Sequence, residues 1–143
     1  MILVDDHLLL DVLVTRRSRS LLAARSRGDL ATTGLWYYRL CHAIGSSSIA
    51  GRLSAPLASL PEPTREDAIR AIVRLPEDIV VVSLRDLAPA MARVVSHHRL
   101  NLLAQEAVAA ARHLNAEVRV SKHDDGPLLR VALRAEGIHL TAQ

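Results

Sequence analysis

The sequence predicts an α/β fold, a three-layer α/β/α sandwich around a mainly parallel sheet. Three observations carry this. Short aliphatic runs recur along the chain, and "DIVVVSL" (78–84) is continuous, as in a parallel strand buried on both faces. Segments with helical spacing separate these runs, the pattern of a parallel sheet covered by helices. The chain has 143 residues, half of them apolar. It shows no internal repeat and no dividing linker, so residues 1–143 read as one domain burying roughly 68–70% of its unfolded surface.

Residues 2–5 read as the first strand, and 7–14 as a short helix with Leu8, Leu9, Val12 and Leu13 facing the core. The Arg/Ser-rich stretch 15–28 reads as a loop or a poorly anchored helical piece. "LATTG" (30–34) reads as a loop or brief extended segment, and 35–44 as a helix closed by Gly45. The serines at 46–48 open a further helix that runs to Leu60, before Pro61 and Pro63. Thr64 is placed to cap the next helix, with Asp67 three residues on. Ser83 caps the helix after "DIVVVSL", and Pro89 is expected to delay its start or kink it. Residues 100–115 form an amphipathic helix with Leu100, Leu103, Ala107, Ala110, Ala111 and Leu114 on one side. "AEVRVS" (116–121) is a strand. Residues 126–137 are a helix with Pro127 at its start and Gly137 after its end. "IHLTA" is the last strand.

Composition excludes several classes. Trp36, Tyr37 and Tyr38 are the only aromatics, so no distributed base-stacking platform exists; they are expected to pack on the sheet or at a dimer contact. A single cysteine, Cys41, rules out an internal disulfide and fits a reducing compartment. No apolar stretch approaches the ~20 residues of a membrane span, and no secretion signal is visible, so a cytoplasmic protein is expected. Net charge is +3, and of the 18 basic residues only Lys122 is lysine. "TRRSRSLLAARSRG" carries five arginines and no acid, either a solvated surface segment or a patch able to meet phosphate. The histidines lack thiolate partners and zinc-type spacing. Neither a Gly-x-Ser-x-Gly elbow nor a phosphate loop is present.

Asp5 and Asp6 are the focus. They sit where the first strand hands over to a helix, a common place for carboxylates that hold Mg²⁺. The plainer reading has Asp6 capping the helix and Asp5 solvated. "ILVDDH" resembles the opening of receiver domains, but those require an aspartate ending a third strand about 45 residues on. Here that region reads "GRLSAPLASLPEP". The whole chain resembles the PIN domain family, in particular VapC-type toxins. "MILVDDHLLLDVL" is similar to its opening strand and helix, "LATTGLWYYRL" to the approach to the next helices, and "VVSLRDLAPAMA" to its central strand and helix. "NLLAQEAVAAARHLNAEVRVSKHDDGPLLRVALRAEGIHL" is similar to its closing helix, strand, acid-bearing loop, helix and strand.

That resemblance implies a Mg²⁺- or Mn²⁺-dependent endoribonuclease in which several acids converge on the cation. Asp5 matches the first acid of the family. Arg39 falls near the place of the second, Ala104 at the third and Lys122 near the fourth. The expected catalytic set is therefore a displaced one, Asp5, Glu106 and Asp124, with Asp5, Asp6, Asp124 and Asp125 as candidate metal ligands. Arg16, Arg17, Arg19 and Arg39 are the residues expected to meet RNA. By resemblance a homodimer and an antitoxin-like protein partner are expected. The alternative expectation is a PIN-like module that binds RNA or a protein and cuts nothing.

Overall fold

The computed structural model describes residues 1–45 and 53–143. Five parallel strands form one sheet: β1 (Ile2–Val4), β2 (Leu30–Thr33), β3 (Ile79–Val82), β4 (Glu117–Val120) and β5 (Leu140–Ala142). Their order is β3-β2-β1-β4-β5. The α/β reading is therefore correct, and the sheet is entirely parallel. Receiver-type folds carry the order 2-1-3-4-5, so that alternative is excluded by topology as well as by the missing aspartate.

The helices are α1 (Asp6–Leu10), continued by a π-helical turn (Asp11–Thr15), α2 (Arg19–Ser26), α3 (Gly34–Gly45), α4 (Ala55–Ala58), α5 (Glu62–Val73), α6 (Leu84–His97), α7 (Leu102–Leu114) and α8 (Pro127–Ala135). They cover both faces of the sheet. Alternating side chains of the strands divide between two cores. Leu3, Ala31 and Val82 join Trp36 and the buried faces of α6, α7 and α8. Val4, Leu30 and Ile79 join Leu8, Leu9, Leu21, Leu40, Leu57 and Ile72 on the opposite side. The core is aliphatic, with a run of alanines (Ala107, Ala109, Ala110, Ala111) that lets α7 lie close against the strands.

Several elements differ from the sequence reading. "LATT" is a central strand, buried at all four positions, and the Thr32 hydroxyl donates to the Val4 carbonyl at 3.0 Å. The stretch 15–28 contains α2, anchored by fully buried Leu21 and Ala24 and capped by Ser18. α5 starts at Glu62, so Thr64 lies inside it. Pro63 sits in the first turn, where its missing N–H costs nothing. α6 begins at Leu84 and includes Pro89, so its start is not delayed. The α7 cap is Asn101, whose side chain accepts from the Ala104 N–H at 2.9 Å, so Leu100 precedes the helix while remaining buried. Of the helix expected from Ser46 to Leu60, residues 46–52 lie outside the described residues, and the described part holds the turn Ala55–Ala58. Of the three aromatics Trp36 is buried, Tyr37 donates to the Ile72 carbonyl at 2.9 Å, and Tyr38 is exposed.

Trp36 is the largest fully buried side chain. Trp36→Ala is expected to cost about 3–5 kcal/mol, read as a shift in the urea midpoint at unchanged slope. A cost below about 1 kcal/mol would contradict its place in the core.

Candidate metal-type pocket

β1 is the middle strand, so its carboxyl end opens at the centre of the sheet. Asp5 follows it directly and is fully buried. One oxygen accepts from the Leu8 N–H at 2.9 Å, so Asp5, not Asp6, caps α1. The other accepts from the Ser121 N–H at 2.6 Å, just past the end of β4. The carboxylate thus ties two adjacent strand ends together, and the reading that left it solvated does not hold.

Asp6 is the first residue of α1 and is also fully buried. The Arg39 guanidinium, from the middle of α3, spans it side-on: Nε donates to Oδ2 and Nη2 to Oδ1, the latter at 2.7 Å. Arg39 Nη2 also donates to Asp124 Oδ2, on the loop after β4. His7 Nδ1 lies 3.0 Å from Asp6 Oδ1 and 3.9 Å from Asp124 Oδ2. The ring of His123 lies against that of His7, with centroids 4.8 Å apart.

Asp5, Asp6, His7 and Asp124 each offer a ligand atom, and these atoms all lie within 4.8 Å of one another, so the cluster could hold a metal ion. The set matches the expected metal ligands at three positions. It adds His7, whose signal was present in "DDH": the residue after a pocket acid on the first helical turn. Asp125 is not among the four. It pairs with Arg130 at 2.5 Å.

Glu106 stands apart from them. It is fully buried on α7, where Oε2 accepts from the Leu35 N–H at 2.9 Å. It therefore satisfies the first turn of α3 from a neighbouring helix. Gly34 makes room: a Cβ there would stand 3.3 Å from Glu106 Oε1. Arg16, Arg17 and Arg19 are exposed, but they follow α1 and its π turn, about 15 Å of helix from Asp6. Ala104 lines a cavity of about 270 Å³ with Trp36, Arg39 and Asp124. Lys122 is exposed.

The electrostatics follow from burial and partners. Burial pushes Asp5 up to about 6, against the lowering pull of its N–H donors. Burial works on Asp6 in the same sense, but hydrogen bonds from Arg39 and His7 outweigh it and hold Asp6 below the usual carboxylate value. The Asp6 carboxylate raises His7 above the ordinary imidazole value, although burial opposes it. The same carboxylate, with Asp124, keeps Arg39 firmly protonated.

A pH dependence results. The fold holds the Asp5 proton more tightly than the unfolded chain does. That stability is complete below 3.8 and is lost as pH rises through about 6. A gap of about two pK units is worth on the order of 3 kcal/mol. The His7 contribution is complete below 6.5 and is lost as pH rises above it; the Asp6 contribution is complete above 3.8 and is lost as pH falls below it. In chelator the protein is expected to melt at a higher temperature near pH 4.5 than near pH 7.5, with Asp5→Asn flattening the slope between 3.8 and about 6. A melting temperature that climbs steadily across that window would refute the buried state of Asp5. No protein-family model matches the chain and no curated protein matches its sequence, so its function is read from this pocket.

Proposed function

We propose that the chain is a PIN-like protein on the frame of VapC-type metal-dependent endoribonuclease toxins. Its cation centre is closed by Arg39, so it serves as a module that binds RNA or a protein partner with metal-dependent cleavage weak or absent. The observation that supports this is the guanidinium bridging Asp6 and Asp124. The three carboxylates of the set are oxygen donors of the kind that hold a divalent cation. The place between Asp6 and Asp124 is nevertheless taken by an organic cation that neutralises charge and carries no water to activate. The acid expected from α7, Glu106, gives one oxygen to the start of α3 and lies outside the four-residue cluster, its other oxygen buried without a hydrogen-bond partner among the described residues.

RNA is the ligand this reading names first, because the exposed Arg16, Arg17 and Arg19 carry no acid between them. An acidic, antitoxin-like partner and a homodimer belong to the same reading. So does a cytoplasmic setting; among the described residues no helix is long and apolar enough to cross a membrane. A second reading has one observation in its favour. With four ligand atoms within 4.8 Å, a cation that displaced Arg39 would complete a Mg²⁺- or Mn²⁺-dependent endoribonuclease.

Labelled RNA incubated with the protein and Mn²⁺, and separately with chelator, decides between them. The expected result is a retarded but intact RNA in both. Replacing Arg16, Arg17 and Arg19 by alanine should weaken binding by about tenfold at low salt, since fewer arginines then meet phosphates and fewer counterions are released. Cleavage that needs Mn²⁺ and disappears in Asp5→Asn would establish the second reading. RNA that runs unretarded even at low salt would remove RNA from the first.

A further inference from the structure

The carboxyl ends of β1 and β4 already hold a cation, and it is the chain's own. Asp6 is fully buried and Asp124 mostly so, on separate loops, and both lean on one guanidinium. Without it, Asp6 would be a buried carboxylate with, among the described residues, His7 as its remaining side-chain hydrogen-bond partner. An uncompensated buried charge of that kind is costly enough to favour either a proton or another cation.

The surroundings favour the cation. Asp5 is fixed on both oxygens by backbone N–H groups of two different elements, so it is preorganised and keeps lone pairs to spare. His7 Nδ1 already faces the Asp6 and Asp124 oxygens, and its ring is backed by that of His123. Three carboxylates and one imidazole within 4.8 Å form a mixed oxygen and nitrogen donor set. An all-oxygen set suits Mg²⁺; an imidazole in the set shifts preference toward first-row transition dications.

We propose that Arg39 masks a site for a transition-metal dication of the Zn²⁺ or Co²⁺ class, with His7 as its nitrogen donor, and that removing the guanidinium opens it. This rests on the reading that Arg39 closes the centre. It adds which ion the opened centre takes and which residue selects it.

The test uses the full chain with Arg39→Ala and, as a milder change, Arg39→Gln. Each is titrated with Zn²⁺, Co²⁺ and Mg²⁺ by calorimetry, and the Co²⁺ absorption band is recorded. The variants are expected to bind one Zn²⁺ or Co²⁺ at least about tenfold tighter than the wild type, and about tenfold tighter than they bind Mg²⁺. Adding His7→Ala should abolish that preference and change the Co²⁺ spectrum. If the variants are unfolded in chelator, Zn²⁺ is expected to restore their circular dichroism. Failure of both variants to bind, or to refold with, any of the three ions overturns the inference and leaves the closed-centre reading standing. Equal affinity for Mg²⁺ and Co²⁺, or indifference to His7→Ala, overturns the role of His7. A wild type that binds Zn²⁺ as tightly as the variants would instead defeat the closed-centre reading itself.

Discussion

The arrangement turns on one constraint: a buried aspartate, Asp6, must have a positive neighbour. It sits at the open end of the central strand, shut from solvent on all sides. Arg39 meets that need from α3, and in doing so it fixes three separate pieces of chain relative to one another. α1 carries Asp6, α3 carries Arg39, and the loop between β4 and α8 carries Asp124. Such a pair is weak evidence of stability in itself, because desolvation offsets much of the attraction. Its value is geometric. A bidentate guanidinium accepts few orientations, so α3 is held at one angle over the strand ends.

Around that clasp, neighbouring carboxylates have taken structural work. Asp5 caps α1 and receives the first N–H beyond β4. Glu106 receives an N–H at the start of α3. Each solves the same local problem: N–H groups left without partners where a strand gives way to a loop or a helix. Open α/β sheets concentrate such groups at one edge, and anions are drawn there whether or not a metal is held. An acid at the end of a strand is therefore compatible with two roles. Its partners, and not its position, distinguish them.

The sequence made the layered architecture legible because buried parallel strands and amphipathic helices have strong periodic signatures, as "DIVVVSL" and 100–115 show. It hid β2. "LATT" is four residues long, and its two threonines read as polar until the Thr32 hydroxyl is seen to turn back onto the Val4 carbonyl. It hid α2 for a related reason, since Leu21 and Ala24, with half-buried Leu22, are the few apolar residues that anchor that helix among arginines. Within the pocket, Asp5, Asp6 and Asp124 were legible from their places at strand ends. Glu106 was misleading because its spacing on α7 says nothing of which neighbouring N–H it meets. The partnership of Arg39 with Asp6 and Asp124 links residues 33 and 85 positions apart, and only the folded chain brings them together.

A guanidinium and a dication differ in what they do beside two carboxylates. A dication can neutralise two carboxylates; the guanidinium carries a single positive charge, and its N–H donors reach both Asp6 and Asp124 while leaving one negative charge over. A divalent ion, however, binds a water, lowers its pKa and presents it to a phosphodiester. A guanidinium offers only N–H donors, stays protonated at any physiological pH, and coordinates no water whose pKa it could lower. It is also tethered, so its local concentration beside Asp6 is set by the α3 backbone and not by the metal content of the surroundings. A free ion at low concentration competes poorly against such a neighbour, even where its intrinsic affinity for the donors is higher. Arg39 on α3 thus gives Asp6 and Asp124 a positive partner that the fold itself supplies.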